Sequence, residues 1–583
     1  MAQGFLQIAI FLAVLLAIVP LLGGYMAKVF SGERVFLTRV VGPLERLTYR
    51  LIRVDPEEQQ DWKRYARSLL IVSALFWVVL YVILRTQTIH PWNPQGFHSG
   101  TWDVTFNTTS SFLTNTNWQF YGGETTMTYF SQMAGLAVQN FVSAAVGIVV
   151  VIALIRGIAA RSGRSLGNFW QDLTRCVFYI LLPLSIVGAI VLVSQGVIQN
   201  FAHYATAHTL TGGSQSIPFG PVASQEVIKE LGTNGGGFFN ANSAYPFENP
   251  TAFSNFFEML LILAIPASLT FTYGRMVGSR RQGWAILSAM SILFVAGVIV
   301  IVLAEQHGTP AQHLAGVNTH QIAGSTGGNL EGKEQRFGIT NTALWAAITT
   351  VTSCGAVNGA MESLTGIGGA VPFSNLGMSE VVFGGVGTGL YSMLIFVLLS
   401  VFIGGLMVGR TPEYLGKKIG ARDIKLVSLA ALFTPLTVLL TAGTAMAAPA
   451  GKQSISVAGP NGFSEGLYAY LSQANNNGSA WAGYTGYIQP NPGNAGAHGV
   501  KLADIMGGLT MMFARYAPIV LVLAVAGALA GKKVHPAGPG TMRTDTPTFV
   551  VLLIGVILLV GALTFFPAIL LGPVVQGLTA NLF

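Results

Sequence analysis

Long apolar segments separated by polar connections run through the chain from its beginning to its end. The clearest of them cover residues 5–22, 68–84, 286–303 and 549–563. About 20 apolar residues, each rising 1.5 Å, cross a hydrocarbon layer of about 30 Å, so these segments with their flanks predict membrane-spanning helices. Buried helices of a soluble core are the alternative, but there are too many such segments and too little polar sequence to cover them.

Hydropathy and charge placement together predict ten crossings, and hence an all-α polytopic membrane protein. The crossings begin at roughly residues 4, 68, 126, 169, 252, 283, 388, 426, 505 and 547. Four long connections on one side are rich in Gly, Asn, Thr and Ser, at about 86–125, 198–250, 306–376 and 449–500. Each contains a moderately apolar stretch that is too short to span, which indicates a re-entrant segment.

Composition and charge support this topology. Of the 583 residues, 51% are hydrophobic and 9% charged, whereas soluble domains carry about 25% charged residues. The net charge of +8 is compatible with nucleic-acid binding, but most Lys and Arg residues lie in five connections, at 28–67, 156–164, 275–281, 410–425 and 532–543. This distribution follows the positive-inside rule. It places those connections in the cytoplasm and both termini outside it, and it argues against nucleic acid as a partner.

The first apolar segment lacks a basic stretch before it, so we interpret it as a retained helix rather than a cleaved signal. The two cysteines, Cys176 and Cys354, provide neither a disulfide framework nor a thiolate metal site.

The long connections contain four related turns, each preceded by a short helix-like stretch. They read SSFLTNTNW from Ser110, EVIKELGTNGGG from Glu226, LWAAITTVTSCGA from Leu344 and LYAYLSQANNNGS from Leu467. Small polar residues precede Gly in each turn except the first, where Asn117 replaces Gly. The pattern predicts four helix–pore-loop–helix repeats around a pseudo-fourfold axis, with one extra helix at each end.

These repeats divide the chain into seven parts. They are an extra N-terminal transmembrane helix (1–30), a cytoplasmic connector (31–67), four pore repeats (68–160, 161–281, 282–410 and 411–533) and an extra C-terminal transmembrane helix (534–583).

Four converging turns can act as an ion filter. Rings of backbone carbonyls replace the hydration shell of a cation, and Gly235, Gly355 and Gly478 can adopt backbone angles closed to other residues. No Asp or Glu lies within the turns themselves, so a monovalent cation, most simply potassium, is favoured over a divalent one. A single such turn would more often be an ordinary Gly/Asn turn, but four in register argue against that interpretation.

The same segments resemble the KdpA family, the potassium-binding subunits of bacterial Kdp potassium-transporting ATPases. The segments that carry the resemblance are TNTNWQ (114–119), LGTNGGGFFNANSAYPFENP (231–250), SCGAVNGAMESLTGIGG (353–369) and NNNGSA (475–480). It implies a fold of the superfamily of potassium transporters, located in the bacterial inner membrane, with K+ as the transported ion and no organic cofactor. The implied partners are KdpB, which hydrolyses ATP, KdpC and possibly the small KdpF peptide.

The resemblance also implies roles for individual residues. Asn117, Gly235, Gly355 and Gly478 would occupy the narrow positions of the filter, and Gln119 would tune potassium affinity. The K+ filter would comprise Asn115, Thr116, Asn117, Thr233, Asn234, Gly235, Ser353, Cys354, Gly355, Asn476, Asn477 and Gly478. The connections 307–328 and 484–500 match no feature that we can assign.

Two charged residues are candidates for an ion path or gate. The glycine-rich run 384–389 looks superficially like a dinucleotide loop, but it lacks a preceding strand, so a helix break beneath the filter is the better interpretation. Glu380, just before it, is either a carboxylate on the ion path or a solvated loop residue. Arg515 falls within a predicted span, where an unpaired charge is costly. It is either a barrier below the filter or an arginine paired for structural reasons.

The chain carries neither the DKTGT phosphorylation motif nor a GxxxxGK[ST] loop, so we expect a non-hydrolysing subunit with no catalytic residues. Two alternatives remain open. One is a stand-alone Trk/Ktr-like potassium channel or transporter, and the other is a scaffold whose pore loops are vestigial.

Overall fold

The computed structural model describes residues 2–161, 163–322, 326–488, 498–536, 538 and 541–579. Within them, ten helical segments are long and apolar enough to cross a membrane, which confirms the predicted number. They are Ala2–Phe30, Trp62–Arg85, Ser131–Ala159, Phe169–Ser194, Ala252–Met276, Arg280–Leu314, Thr388–Met407, Ala421–Ala447, Lys501–Ala530 and Pro547–Leu578. Most begin within a few residues of the predicted positions, and the second begins six residues earlier because Asp61 caps it by accepting from the Arg64 N–H at 2.9 Å.

The α-helices that build these spans are α1 (Ala2–Phe30), α3 (Trp62–Arg85), α6 (Val138–Ala159), α7 (Phe169–Arg175), α8 (Leu182–Ser194), α10 (Ala252–Met276), α11 (Arg280–His307), α15 (Thr388–Met407), α16 (Ala421–Ala447), α19 (Lys501–Ala530), α20 (Pro547–Ile569) and α21 (Val575–Leu578). Wider π-helical turns at Ser131–Ala137, Cys176–Leu181 and Leu570–Val574 complete three of these spans.

Four shorter helices lie inside the long connections, each between two spans, as the repeat predicts. These pore helices are α4 (Trp102–Leu113), α9 (Val222–Leu231), α13 (Gly338–Val351) and α18 (Gly459–Ala474). The remaining α-helices are α2 (Thr38–Ile52), α5 (Gly123–Thr126), α12 (Pro310–Leu314), α14 (Gly366–Gly377) and α17 (Pro449–Lys452). Three small antiparallel hairpins pair β1 (Ala205–His208) with β2 (Ser214–Ile217), β3 (Glu413–Tyr414) with β4 (Lys417–Lys418), and β5 (Tyr487–Ile488) with β6 (His498–Gly499).

The spans pack closely where small residues meet backbone. A Cβ atom at Gly157 of α6 would collide with Ala526 of α19, and one at Gly23 of α1 would collide with the Ser268 carbonyl of α10. The Thr272 hydroxyl also donates to the Gly23 carbonyl oxygen at 2.9 Å. The hydrophobic effect provides no force between helices in lipid, so close van der Waals packing at small residues and interhelical hydrogen bonds stabilise such crossings. The α6 span is the most enclosed of the ten, so it lies at the centre of the bundle.

In the third repeat, two half-helices follow the pore loop instead of one continuous span. After α13, the chain forms α14, leaves helical geometry at 378–387, and resumes as α15. This confirms the helix break that the glycine-rich run 384–389 predicts. Of the two connections without an assigned feature, the first contains α12, but residues 323–325 of it and 489–497 of the second lie outside the described residues.

Candidate ion-binding site

The four turns form a closed ring in the order of the chain. The atoms that a Cβ added at each glycine would meet identify the contacts between neighbouring turns. A Cβ at Gly235 would meet the backbone of Gly355, and one at Gly355 would lie 2.8 Å from the Gly478 carbonyl carbon. A Cβ at Gly478 would meet the Thr116 carbonyl oxygen. A Cβ at Gly236 would lie 2.8 Å from Asn117, which closes the circle. Backbone therefore approaches backbone at the first three of these contacts, whereas Gly236 faces the side chain of Asn117, and no space is left for a further side chain at any of the four.

Left-handed residues recur at matching positions of the turns. At the first position of each turn the φ angles are 70° for Asn115, 48° for Thr233, 45° for Ser353 and 55° for Asn476. Two residues later they are 55° for Asn117, 76° for Gly235 and 93° for Gly478, while Gly355 lies outside the left-handed region. Non-glycine residues hold such strained backbone conformations only where their surroundings enforce them.

Side-chain amides between the first and second turns provide that enforcement. Asn115 Nδ2 donates to the carbonyl oxygens of Gly232 and Thr233 at 3.2 and 3.0 Å. Asn234 Nδ2 donates back to Asn115 Oδ1 at 2.7 Å. These atoms are completely buried, where satisfied hydrogen bonds are strong and broken ones are costly.

Amide side chains of the fourth turn reach the third pore helix and the first turn. Asn477 Nδ2 donates to the Thr349 carbonyl at 2.7 Å, and Asn476 Nδ2 donates to Thr116 Oγ1 of the first turn at 2.9 Å. The Cys354 thiol lies 3.5 Å from Glu230 Oε2, on the pore helix that precedes the second turn. The structure thus brings together all twelve residues that the sequence singles out for the filter.

A cavity of about 770 Å³ opens above the ring. Its lining includes Asn117, Gln119, Gly235, Gly355 and Gly478. Gln119 spans two repeats at this mouth, because its Nε2 donates to the Gly237 carbonyl at 3.3 Å and its Oε1 accepts from the Gly237 N–H at 3.0 Å. It therefore contacts the entrance and not the ring itself.

The break between α14 and α15 lies directly under the ring. The N–H groups of Gly385 and Val386 donate to Ser353 Oγ at 3.2 Å and to Thr233 Oγ1 at 3.0 Å. Glu380 is 2% exposed, and its Oε1 accepts from Asn477 Nδ2 at 3.4 Å. Of the two alternatives for Glu380, the structure therefore excludes the solvated loop position.

Arg515 of α19 lies buried on the same side of the ring. Its Nη1 donates to Thr388 Oγ1 at 2.8 Å and its Nη2 to the Ser143 carbonyl at 3.4 Å. Both of these acceptors are uncharged, and the guanidinium also interacts electrostatically with the Glu380 carboxyl group. Thr388 is the first residue of α15, so Arg515 contacts the rim of the break.

The sequence model of the family described as KdpA, potassium-transporting ATPase A subunit, matches residues 9–578. The chain belongs to the KdpA family.

Close relatives agree along nearly the whole length. Proteins from Sorangium cellulosum and Rhizobium rhizogenes are each 53% identical to this chain over 586 and 577 residues. These alignments cover 99% of this chain and 99% and 98% of the relatives, both of which are named potassium-transporting ATPase potassium-binding subunit. Among solved structures, the potassium transporter TrkH from Vibrio parahaemolyticus is similar with a TM-score of 0.48 and 16% identity, covering 79% of this chain and 84% of that one.

Sequence reasoning missed residues of α6 that brace the filter. Asn140 Oδ1 accepts from Asn117 Nδ2 at 2.7 Å, and the Ser143 hydroxyl donates to Asn115 Oδ1 at 2.8 Å. The sequence did contain a signal for these two residues, because amide and hydroxyl side chains in an otherwise apolar span indicate a polar environment within the bundle.

Sequence reasoning also missed a cluster of buried charged residues behind the second turn. Lys229 Nζ lies 2.8 Å from Glu226, 3.6 Å from Glu230 and 3.4 Å from Glu248, and all four side chains are fully buried. The same ammonium donates to Asn242 Oδ1 at 3.0 Å, while Asn242 Nδ2 donates to the Gly235 carbonyl at 2.9 Å. One amide side chain therefore connects this cluster to the filter backbone.

Proposed function

We propose that this chain binds potassium in the four-turn ring and delivers it to an ATP-hydrolysing partner for uptake. The observation that supports this most strongly is the closed ring itself: repeated left-handed turns, backbone in contact with backbone, and no carboxylate within the turns. Carbonyl and amide oxygens fixed around an axis suit a dehydrated monovalent cation. Family membership and the names of the two relatives support potassium as that ion.

In this proposal the protein spans the bacterial inner membrane with both termini outside the cytoplasm. The cavity above the ring is the entrance for the ion, and Gln119 adjusts the affinity there. The four pore helices end at the turns, so the negative ends of their dipoles favour a cation in the ring. Trapping the ion needs no covalent chemistry from this chain.

The region beneath the ring would direct the ion sideways. The positive charge of Arg515 opposes direct passage toward the cytoplasm, while Glu380 offers a carboxylate at the level of the helix break. We propose that the ion leaves through this region toward the partner instead of crossing the chain axially. KdpB would hydrolyse ATP, with KdpC and KdpF as further subunits.

Purification from native membranes tests the proposal. The complex should contain an ATPase subunit, and its ATP hydrolysis should be stimulated by potassium and only weakly by sodium. If no ATPase co-purifies and the preparation conducts potassium in liposomes, the chain is a stand-alone channel and the proposal is wrong. If filter substitutions leave potassium uptake unchanged, the scaffold alternative is correct.

A further inference from the structure

The helix α2, between the first two spans, exposes a continuous apolar stripe. Val40, Leu44, Leu47 and Leu51 follow one another at spacings of four, three and four residues, within an arc of about 60° at 3.6 residues per turn. Their exposed fractions are 76%, 44%, 46% and 72%. Four large aliphatic side chains on one line, all exposed, form a surface that water does not favour.

The opposite side of α2 is fixed to the protein. Glu45 Oε1 accepts from Arg175 Nε at 2.9 Å, and its Oε2 accepts from the Tyr179 hydroxyl at 2.7 Å. Gly42 and Tyr49 are buried on the same side. Because these residues lie roughly 160° around the helix from the stripe, the stripe points away from the bundle.

Arginines lie on the remaining side of α2, between the apolar stripe and the side that is fixed to the protein. Arg39, Arg46 and Arg50 are exposed and share one line along the helix, and Arg53, which caps the C-terminal end of α2, is exposed as well. The only acidic residue of α2, Glu45, is turned inward and paired with Arg175. The outer surface of α2 therefore combines an apolar stripe with positive charge alone.

The position of α2 in the chain places it at the membrane surface. It begins eight residues after α1 ends, and α3 begins ten residues after α2 ends, so both of its ends are held near the same interface. Helices with one apolar line and arginines beside it lie in the plane of the interface, with the apolar side chains at the boundary of headgroups and acyl chains.

We propose that α2 is an interfacial lipid-binding element, whose stripe enters the bilayer and whose arginines bind anionic phospholipid headgroups. Charge complementarity identifies the occupant, because an exposed surface with four arginines and no carboxylate matches the anionic leaflet that faces the cytoplasm. The choice of leaflet rests on the membrane orientation given under Proposed function. The stripe itself does not depend on that function.

A spin label tests the position of the stripe. Leu47→Cys can be labelled selectively, because Cys176 and Cys354 are both buried. The complete complex would be reconstituted in phosphatidylcholine vesicles with increasing fractions of phosphatidylglycerol. We expect the label to become accessible to oxygen and protected from a water-soluble nickel chelate as phosphatidylglycerol increases. A label at Arg50→Cys should stay accessible to the chelate.

Charge variants test headgroup recognition. Arg46→Gln with Arg50→Gln should weaken the effect of phosphatidylglycerol by about fivefold for each arginine removed. The control is Arg422→Gln with Lys425→Gln, which removes the same charge from exposed positions at the start of α16. This control should leave the accessibility profile unchanged.

Three results would overturn the proposal. A label at Leu47 that stays open to the chelate in every vesicle would show that the stripe lies in water. A label protected from both probes whatever the lipid composition would show that a protein partner covers it. An equal shift in the α16 control would show a response to overall charge and not to this helix.

Discussion

At the residue scale, the filter depends on backbone contacts that exclude side chains. Gly235 combines a φ of 76° with immediate contact to the backbone of Gly355 and Ala356. We expect Gly235→Ala to lower the apparent potassium affinity of ATP hydrolysis at least tenfold, because the added Cβ must displace the third turn. The measurement is potassium-stimulated ATPase activity of the purified complex.

Gly278 offers a matched control for that substitution. Its φ is 75°, but a Cβ there would meet nothing within 4 Å. Gly278→Ala therefore adds the same backbone strain without the collision, and it should leave potassium affinity unchanged. Equal losses in both variants would attribute the effect to strain, and no loss in Gly235→Ala would argue against the ring as the selective element.

Lys229 supports the filter through charge. It is fully buried among Glu226, Glu230 and Glu248, and removing one partner of a buried ion pair costs about 3–5 kcal/mol. We expect Lys229→Met to destabilise the protein by this order, measured as a lower thermal unfolding temperature in detergent. Adding Glu226→Gln should recover part of the loss, whereas the exposed Lys425→Met should cost little.

The four turns could be predicted from sequence, but the charged and amide residues behind the second turn that support them could not. Repetition makes Thr233, Ser353 and Asn476 recognisable as equivalent positions. Asn242 follows the second turn as one polar residue among many, and its bridge between Lys229 and the Gly235 carbonyl appears only in the folded chain. Gln119 lines the cavity beside the turns, but its contact with Gly237 is visible only once the second repeat is positioned, and its role in potassium affinity stays a prediction.

At the element scale, α2 is attached through one carboxylate whose charge depends on pH. Burial raises the pKa of Glu45, but hydrogen bonds from Tyr179, Arg175 and Tyr49 outweigh it and hold that pKa below its ordinary value. Since the folded-state pKa is lowered, the contact is fully present above the unperturbed value of about 4.3 and is lost as the pH falls through the folded value.

Hydrogen exchange of the α2 amides checks this dependence. After correction for the intrinsic pH dependence of exchange, protection should persist through the ordinary carboxyl range near about 4.3 and fall only at lower pH, as Glu45 becomes protonated. In Glu45→Gln the protection should be weaker already at pH 7 and should not respond to acid. A similar acid response in that variant would assign the effect to other groups.

Elements differ in how well their sequences specify them. The ten spans follow from hydropathy and charge placement, because lipid forces every backbone group of a crossing to pair within its own helix. The break at 378–387 and its position beneath the turns were signalled by clustered glycines, but its hydrogen bonds were not, since the Gly385 N–H donates to Ser353 of the same repeat and the Val386 N–H donates to Thr233 of the second repeat. The membrane-surface position of α2 was also missed, because 31–67 was interpreted only as a connector.

At the scale of the whole molecule, an ATP-driven pump must prevent ions from crossing this chain along its axis. Arg515 lies below the ring, where its guanidinium donates to uncharged oxygens of Thr388 and Ser143. At an effective dielectric constant of 20, a unit charge at a separation on the order of 10 Å raises the energy of a cation by about 1.7 kcal/mol. We therefore expect Arg515→Gln to increase passive potassium flux through the reconstituted chain by roughly tenfold.

Flux of potassium into liposomes without ATP measures this leak, and Arg515→Lys separates charge from shape. The lysine variant keeps the positive charge while losing the paired contacts of the guanidinium, so its leak should stay close to that of the unaltered protein. Arg410→Gln, at the far end of α15, should not leak, because its charge lies outside the bundle. If liposomes that contain the Arg515→Gln variant show no increase in passive potassium flux, then the helix break, and not the charge, closes the axial route. The backbone at Gly385 and Val386 would in that case obstruct the ion by itself.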